Sequence, residues 1–431
     1  MKKEKIKIGW VGVGRRGTGM LNGVVAPMCA EMGDVEVAVL CDKYQPALER
    51  GIEILREKGC PQPIATNNYQ DVLANPDIDA IVIMTPWEGR AQMAIQAMRA
   101  GKYVGIEVGC AFDLKECYDL VDAYEETGVP VMMLENCCYD RREMMAYNLC
   151  EQGLLGEVVH CDGAYGHELP KTELFKENEE GRHYRIKNYI HRNCEQYPTH
   201  ELGPISKLLR LNRGNKMLTL SSFASKSGGL KQYAKDHIGE DSPYANMDYK
   251  QGDIIDTIIT CLNGATIHLR LDTTLPRSYY SRNFTIRGTK GMVSEEGNTV
   301  IFDDMPLPYY EGMTDGMKNK NNEEEMFKLY DHPLHREYQA KGTKEGHGGM
   351  DWLVMRAFFE SVKNGTNTPI DAYDTALWLS IASLSEASIT QGGAPVVVPD
   401  FTKGKWLNRE PVIEGKYCLD KVCVDESVEI Y

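Results

Sequence analysis

Short apolar runs alternate with helical spacing over the first 135 or so residues. Ile6–Val13, Val35–Cys41, Asp79–Met84, Tyr103–Glu107 and Val131–Leu134 have strand length and are rich in β-branched residues. Between them, Arg16–Met28, Pro46–Lys58, Arg90–Ala100 and Leu114–Thr127 read as helices. Strands alternating with helices predict a doubly wound parallel sheet with crossovers on both faces. The pattern changes after Gly156. Val158–Tyr165, Met217–Ala224, Ile254–Cys261, Thr266–Asp272, Asn283–Gly288 and Thr299–Asp303 alternate along their length. That predicts an open, mostly antiparallel sheet with one covered face. Asp351–Lys363 and Ala372–Thr390 read as helices, the second placed to pack back on the first domain. Residues 306–348 are polar, with a charge run at Lys318–Glu325, and are expected to form a solvated or partly ordered loop. The expected fold class is α/β: a Rossmann domain over residues 1–136 and an α+β domain over 137–431.

Length and charge narrow the picture. A chain of 431 residues can bury two cores. The net charge of −15 argues against nucleic acid as a partner, because phosphate binding needs a basic face. There are 13 cysteines, most of them in apolar runs such as those holding Cys41, Cys110, Cys137 and Cys138, with no CxxC pair. Buried free thiols in a reducing compartment are expected, without structural zinc. The opening Met-Lys-Lys-Glu-Lys is too short and interrupted for a signal peptide, and no apolar run reaches membrane-spanning length. The expectation is a cytoplasmic protein with no membrane partner. His160, His167, His183 and His191 lie at spacings that match no compact metal-binding helix, so no metal is expected.

The chemistry begins at Gly12-Val-Gly14-Arg15-Arg16-Gly17, which has a strand before it and a helix after it. Gly12 permits the tight turn, Gly14 lets the backbone approach a pyrophosphate, and Gly17 lets helix and strand pack closely. The helix N-terminus offers N–H donors to the phosphates, and Arg15 and Arg16 add charge. Asp42 ends the second strand, where an acid hydrogen-bonds ribose hydroxyls and repels the extra phosphate of NADP, so the expected cofactor is NAD. Thr85-Pro86-Trp87, Ile106-Glu107-Val108 and Leu134-Glu135-Asn136 each follow a predicted strand and converge on the same carboxyl edge of the sheet.

On these loops the N-terminal half resembles the glucose–fructose oxidoreductase, inositol dehydrogenase and MocA superfamily. The superfamily's Glu-Lys-Pro loop reads Glu107-Val108-Gly109 here, without its usual catalytic Lys. A narrower resemblance accounts for that. Met133 to Met144, Tyr197-Pro-Thr-His200, Asp272 to Arg277, Gly346 to Asp351 and Gly392 to Phe401 look like glycoside hydrolase family 109, from residue 6 to about 406. The family comprises NAD-dependent glycosidases, best known as α-N-acetylgalactosaminidases. The resemblance implies NAD contacts at Arg16, Gly17, Asp42, Trp87 to Arg90, Glu107, Val108 and Asn136. It implies substrate contacts at Arg185, at Tyr197, Pro198, Thr199 and His200, and at Tyr279 or Tyr280. It implies a small-molecule glycoside as substrate and, from the superfamily, a homo-oligomer formed through the open face of the second sheet. Departures are Arg90 where the family has His, Cys194-Glu195-Gln196 before the Tyr-Pro-Thr-His block, and Glu201 where Gly is usual. They bear on which sugar is accepted.

The implied reaction is hydrolysis by redox. The sugar is oxidised at C3, hydride passing to NAD⁺ and the hydroxyl proton to a base; the acidified C2 proton is then removed and the C1 leaving group is eliminated. Water then adds and the hydride returns to C3. A cofactor that ends where it began is expected to be tightly bound. The scheme needs a base near neutrality, for which His200 is the candidate. Tyr197 and Tyr139 are candidates to relay protons or stabilise an enolate. Arg185 is the candidate to hold a ring hydroxyl or N-acetyl oxygen. The competing readings are an NAD-dependent sugar or polyol oxidoreductase and a non-catalytic sensor.

Overall fold

Two sheets carry the molecule. The computed structural model describes residues 2–175, 184–303, 321–344 and 346–422. The first sheet contains β1 (Ile6–Val11), β2 (Val35–Cys41), β3 (Ile64–Thr66), β4 (Ala80–Ile83), β5 (Tyr103–Ile106) and β6 (Val131–Met133) in the order β3-β2-β1-β4-β5-β6. Every pairing is parallel. This is the doubly wound arrangement, with strand order reversing beside β1. β4 and β6 are buried at every residue, which is why they read as continuous apolar runs. The edge strand β3 escapes the sequence pattern because it has three residues, none of them buried. The first helix runs from Arg15 to Met32 through a wider π-type turn at Leu21–Val25, immediately before Pro27. A proline lacks the N–H that a regular helical turn would use, and the wider turn falls where that bond is missing.

The second sheet holds eight strands: β7 (Val158–Gly166), β8 (Met217–Ala224), β9 (Ile254–Cys261), β10 (Thr266–Asp272), β11 (Thr285–Gly288), β12 (Gly291–Ser294), β13 (Thr299–Phe302) and β14 (Val396–Val397). Their order is β13-β12-β11-β7-β10-β9-β8-β14, antiparallel except for the β10–β7 pair. The helices Thr199–Leu208 and Ala372–Thr390 cover one face, with Glu201 against Gly163 of β7 and the Ser388 hydroxyl accepting the Ser222 N–H of β8. Ala372–Thr390 also packs on the helix Leu114–Thr127 and on β6, as expected. The helix Met350–Asn364 lies over β1, with Phe358 against Gly105 of β5.

The polar stretch 306–348 was expected to be a loop. Glu323–Tyr330 and Pro333–Lys341 are instead helices. Met326, Phe327, Leu334 and Tyr338 are buried, and Arg142 pairs with Glu323, so sparse apolar positions bury one face of each helix among its charges. Residues 306–320 and 345, like His183 and Cys423, lie outside the described residues. β12 and β14 were also missed, being four and two residues long.

Candidate active site

The dinucleotide turn has the geometry its glycines allow. Gly12 has φ +99°, and a β-carbon there would meet the Met84 carbonyl at 2.9 Å. A β-carbon on Gly17 would run into the Gly12 carbonyl oxygen. Asp42 accepts the Val13 N–H at 2.7 Å and the Tyr44 N–H at 3.0 Å, which fixes its carboxylate beside the turn. Gly14 forms the N-cap of the helix, and Arg15 is exposed on its first turn. The tight turn, open only to glycine at 12 and 17, and the helix N-terminus at Gly14 beside Asp42 fit a dinucleotide pyrophosphate.

Arg16 reaches across to the second half of the chain. It donates to both oxygens of Asp351 at 2.8 and 2.7 Å and approaches Glu107 at 3.5 Å. Asp351 also accepts from the Asn136 amide at 2.8 Å and pairs with His347 at 2.7 Å. Burial alone would raise the Asp351 carboxyl, but Arg16 and His347 hold it well below the usual range. Thus Arg16, Glu107 and Asn136, expected at one cofactor edge, meet there through an acid that sequence reasoning had not singled out.

Arg90 lies beneath this edge. Its guanidinium donates to the carbonyls of Thr85, Glu107 and Val108 and ties two of the strand-end loops together. It was expected among the cofactor contacts; its three carbonyl partners make it the brace that shapes them. Val108 is buried, and Gly109, at φ +152°, leaves room for the Trp87 indole. No side chain fits at 109 with Trp87 in place.

Trp87 begins an aromatic wall. Its ring meets Tyr184 edge-on at 5.6 Å and Tyr197 at 6.0 Å. Tyr165, from the end of β7, stacks on Tyr197 at 4.2 Å and meets His200 at 5.6 Å. Tyr280 meets His167 at 5.6 Å and Tyr165 at 6.2 Å, whereas Tyr279 is 67 % exposed and forms no part of the wall's ring contacts. Arg185 sits over the Tyr197 ring at 5.0 Å and over Trp87 at 5.7 Å. Burial, reinforced by Tyr165, pushes the Tyr197 phenol well above its ordinary range, so it is a neutral donor.

His200 occupies the first turn of the helix Thr199–Leu208, with Pro198 at the N-cap and Thr199 buried. Its Nδ1 lies 2.7 Å from Oε1 of Glu135, whose side chain is wholly buried. Gly203 allows the approach: a β-carbon there would stand 2.9 Å from both Glu135 Cγ and Cys138 Sγ. Burial pushes the Glu135 carboxyl up, but His200 and the Cys137 N–H outweigh it and hold it below its usual value. An ionised Glu135 makes Nδ1 the proton-bearing nitrogen and leaves the lone pair on Nε2.

Tyr139 is a correction. Its ring is fully buried and its hydroxyl donates to the Tyr417 carbonyl at 2.8 Å. The 3₁₀ turn Asn136–Tyr139 presents Asn136 to Asp351 and turns Tyr139 toward the C-terminal segment. Glu201 and Glu195 are likewise buried. Glu201 lies beneath Gly163 with Arg282, which also pairs with Asp140 at 3.0 Å and Glu143 at 2.7 Å. Glu195 accepts the Tyr197 N–H at 3.1 Å, and burial raises its carboxyl to about 8. Glu135, Cys137 and His200 bring ligand atoms within 4.8 Å of one another. Two of those atoms are engaged with each other, and the Arg282 cation lies 3.1 Å from the Cys137 sulfur, an unfavourable place for a metal ion. Sequence reasoning missed Glu135, Tyr165, His167 and Asp351. Glu135 had a signal, being next to Asn136 in a strand-end loop, and so had Asp351, which closes the Gly346–Asp351 block of the family resemblance.

A family model described as an oxidoreductase family with an NAD-binding Rossmann fold matches residues 6–135. One described as the C-terminal domain of glycosyl hydrolase 109 matches residues 139–408. An α-N-acetylgalactosaminidase of Tannerella forsythia is 35 % identical over 427 residues, covering 94 % of this chain and 88 % of that protein. A glycosyl hydrolase family 109 protein of Stenotrophomonas maltophilia strain K279a is 35 % identical over 439 residues, covering 96 % and 93 %. Among solved structures, levoglucosan dehydrogenase in complex with NADH and levoglucosan has the same fold, at TM-score 0.66 and 18 % identity, covering 92 % of this chain and all of that one. An NAD-binding oxidoreductase from Klebsiella pneumoniae gives TM-score 0.70 at 16 % identity, covering 92 % and 99 %.

Proposed function

The chain belongs to glycosyl hydrolase family 109 and is an NAD-dependent glycosidase, and from that premise we propose that His200, held by Glu135, is the base of its redox cleavage. The single observation that carries this is the buried carboxylate on Nδ1, which leaves Nε2 as acceptor beside Tyr165 and Tyr197. NAD, when bound, would supply the hydride acceptor and donor of the cycle. Gly12, Gly14 and Gly17 would hold its pyrophosphate, Asp42 its ribose, and the loops braced by Arg90 its nicotinamide end. His200 takes the C2 proton. Tyr197, a neutral phenol, donates a hydrogen bond to the oxygen at C3. Arg185 and Tyr280 orient the sugar, with the aromatic wall excluding water from the reacting face.

The sugar is an N-acetylgalactosaminide or a related hexoside, in keeping with the relative from T. forsythia. The cofactor half takes residues 1–136 and the sugar half 137–431. Phe223, Ile258 and Val397, exposed on the open sheet face, support a homo-oligomer formed through it. Among the described residues no helix is long and apolar enough to cross a membrane.

The test offers the purified protein nitrophenyl α- and β-glycosides in D₂O without added NAD. Nitrophenol release with deuterium at C2 is expected. NADH accumulation from a free sugar, with no nitrophenol release, would instead make it a dehydrogenase. His200→Ala is expected to abolish turnover while NAD remains bound.

A further inference from the structure

Arg282 lies two residues past Tyr280 on the approach to β11, and its buried guanidinium reaches the other elements that carry the site. Nη2 pairs with Asp140 at 3.0 Å and with Glu143 at 2.7 Å, at the N-cap and first turn of the helix Arg141–Glu151. Nη1 donates to the Cys137 sulfur at 3.1 Å and to the Met350 sulfur at 3.6 Å. Nε faces Glu201 at 3.8 Å. The Arg282 carbonyl accepts the Ala164 N–H of β7. Most of these partners adjoin a site residue in the chain. Cys137 follows Glu135 and Asn136, Met350 precedes Asp351, Glu201 follows His200, and Ala164 precedes Tyr165.

The link through Cys137 is the most direct. Its N–H donates at 3.1 Å to Oε1 of Glu135, the same oxygen that lies 2.7 Å from Nδ1 of His200. Its sulfur comes within 4.8 Å of both the Glu135 carboxylate and the His200 ring. A guanidinium holds its donors in a rigid plane, so partners on different elements are fixed relative to one another; a lysine ammonium on a flexible stem does not do this. The local charges allow one cation to serve all these contacts. Burial raises the Glu143 and Glu201 carboxyls well above their usual range, more than Arg282 lowers them, so both are neutral. Burial also opposes charge on Asp140, but Arg282 holds that carboxyl well below its usual range. Asp140 is therefore the counter-ion, and the contact with the Cys137 sulfur is a directional bond. We propose that Arg282 is a positioning residue for the cleavage: through Cys137, and beside Glu201, it fixes the Glu135 carboxylate against Nδ1 of His200. This rests on the reading of His200 as the base.

The NAD-loaded protein is compared with Arg282→Lys, Cys137→Ala and Cys137→Ser. Release of nitrophenol from nitrophenyl N-acetyl-α-galactosaminide gives kcat and KM. Selectively isotope-labelled histidines give ring signals by NMR, that of His200 being assigned by its loss in His200→Ala. Arg282→Lys keeps the cation and loses the fork. Cys137→Ala leaves the pairs with Asp140 and Glu143 in place, and carries the test should Arg282→Lys fold poorly by circular dichroism. In both variants kcat is expected to fall roughly tenfold or more with KM within about twofold of wild type, and the Nδ1–H signal of His200 to shift. Cys137→Ser keeps an acceptor for Nη1 and is expected to recover most of the lost kcat. A wild-type kcat with an unmoved His200 signal in a folded variant would overturn the proposal, as would equal losses in Cys137→Ser and Cys137→Ala. The two readings fail separately: full turnover in His200→Ala would remove the base, whereas the ring signal tests the hold of Arg282 on the pair whichever group is the base.

Discussion

Glu135 and His200 are 65 residues apart in sequence and 2.7 Å apart in space. Glu135 carries no sugar chemistry itself; it sets which nitrogen of His200 is basic. Glu135→Gln removes the charge that fixes this tautomer. Turnover is expected to fall roughly 10²-fold or more, with NAD still bound and circular dichroism unchanged. A turnover near wild type would remove Glu135 from the mechanism. Tyr139 is the contrasting case. Tyr139→Phe takes a donor from the Tyr417 carbonyl and leaves the aromatic wall intact. The expected result is about 1 kcal/mol of lost stability in urea unfolding and an unchanged kcat.

At the scale of elements, two contacts decide whether the halves form one site. The helix Thr199–Leu208 reaches the Glu135 turn because Gly203 has no side chain. Gly203→Ala forces a methyl against Cys138 and Glu135, and overpacking of this kind costs about 1–3 kcal/mol. Turnover is expected to fall further than stability, since the helix shift carries His200 off Glu135. The helix Met350–Asn364 is tied to the dinucleotide turn by Asp351 and Arg16. Breaking a buried pair costs ~3–5 kcal/mol, and the 32 % exposure of the Arg16 side chain brings Asp351→Asn to about 2 kcal/mol. NAD affinity is expected to weaken in parallel, as measured by equilibrium fluorescence titration.

For the whole molecule, two buried groups give stability opposite pH slopes. Burial, with His335 adding, lowers His332 from 6.5 to about 3. Its contribution is complete above pH 6.5 and is lost as the pH falls toward 3, because the unfolded chain takes up the proton first. Burial raises Glu195 from 4.5 to about 8. Its contribution is complete below pH 4.5 and is lost as the pH rises toward 8. The limbs overlap between pH 4.5 and 6.5, where their opposed slopes cancel and stability is expected to level at its maximum. Glu195→Gln is expected to flatten the rise-side loss between pH 5 and 8 in urea midpoints; an unchanged slope would mean Glu195 is ionised when folded.

What could be read from the residues alone was whatever local spacing encodes. The buried strands of the first sheet have to be apolar along their whole length, and the turn after β1 has to have glycine where a β-carbon collides with Met84 or Gly12. The cofactor edge followed, because strand ends in a doubly wound sheet must share one side. Helices with few apolar positions, such as Glu323–Tyr330, and the two-residue strand β14 were not legible, since partners elsewhere in the chain stabilise them. The same holds inside the site. Arg90 on three carbonyls, Tyr139 on Tyr417, Tyr280 rather than Tyr279 in the wall, and Asp351 under Arg16 are choices between side chains brought together by packing. A hydrogen-bonding group has the same chemistry wherever it lies along the chain, and only the tertiary structure decides which partner its burial leaves within reach.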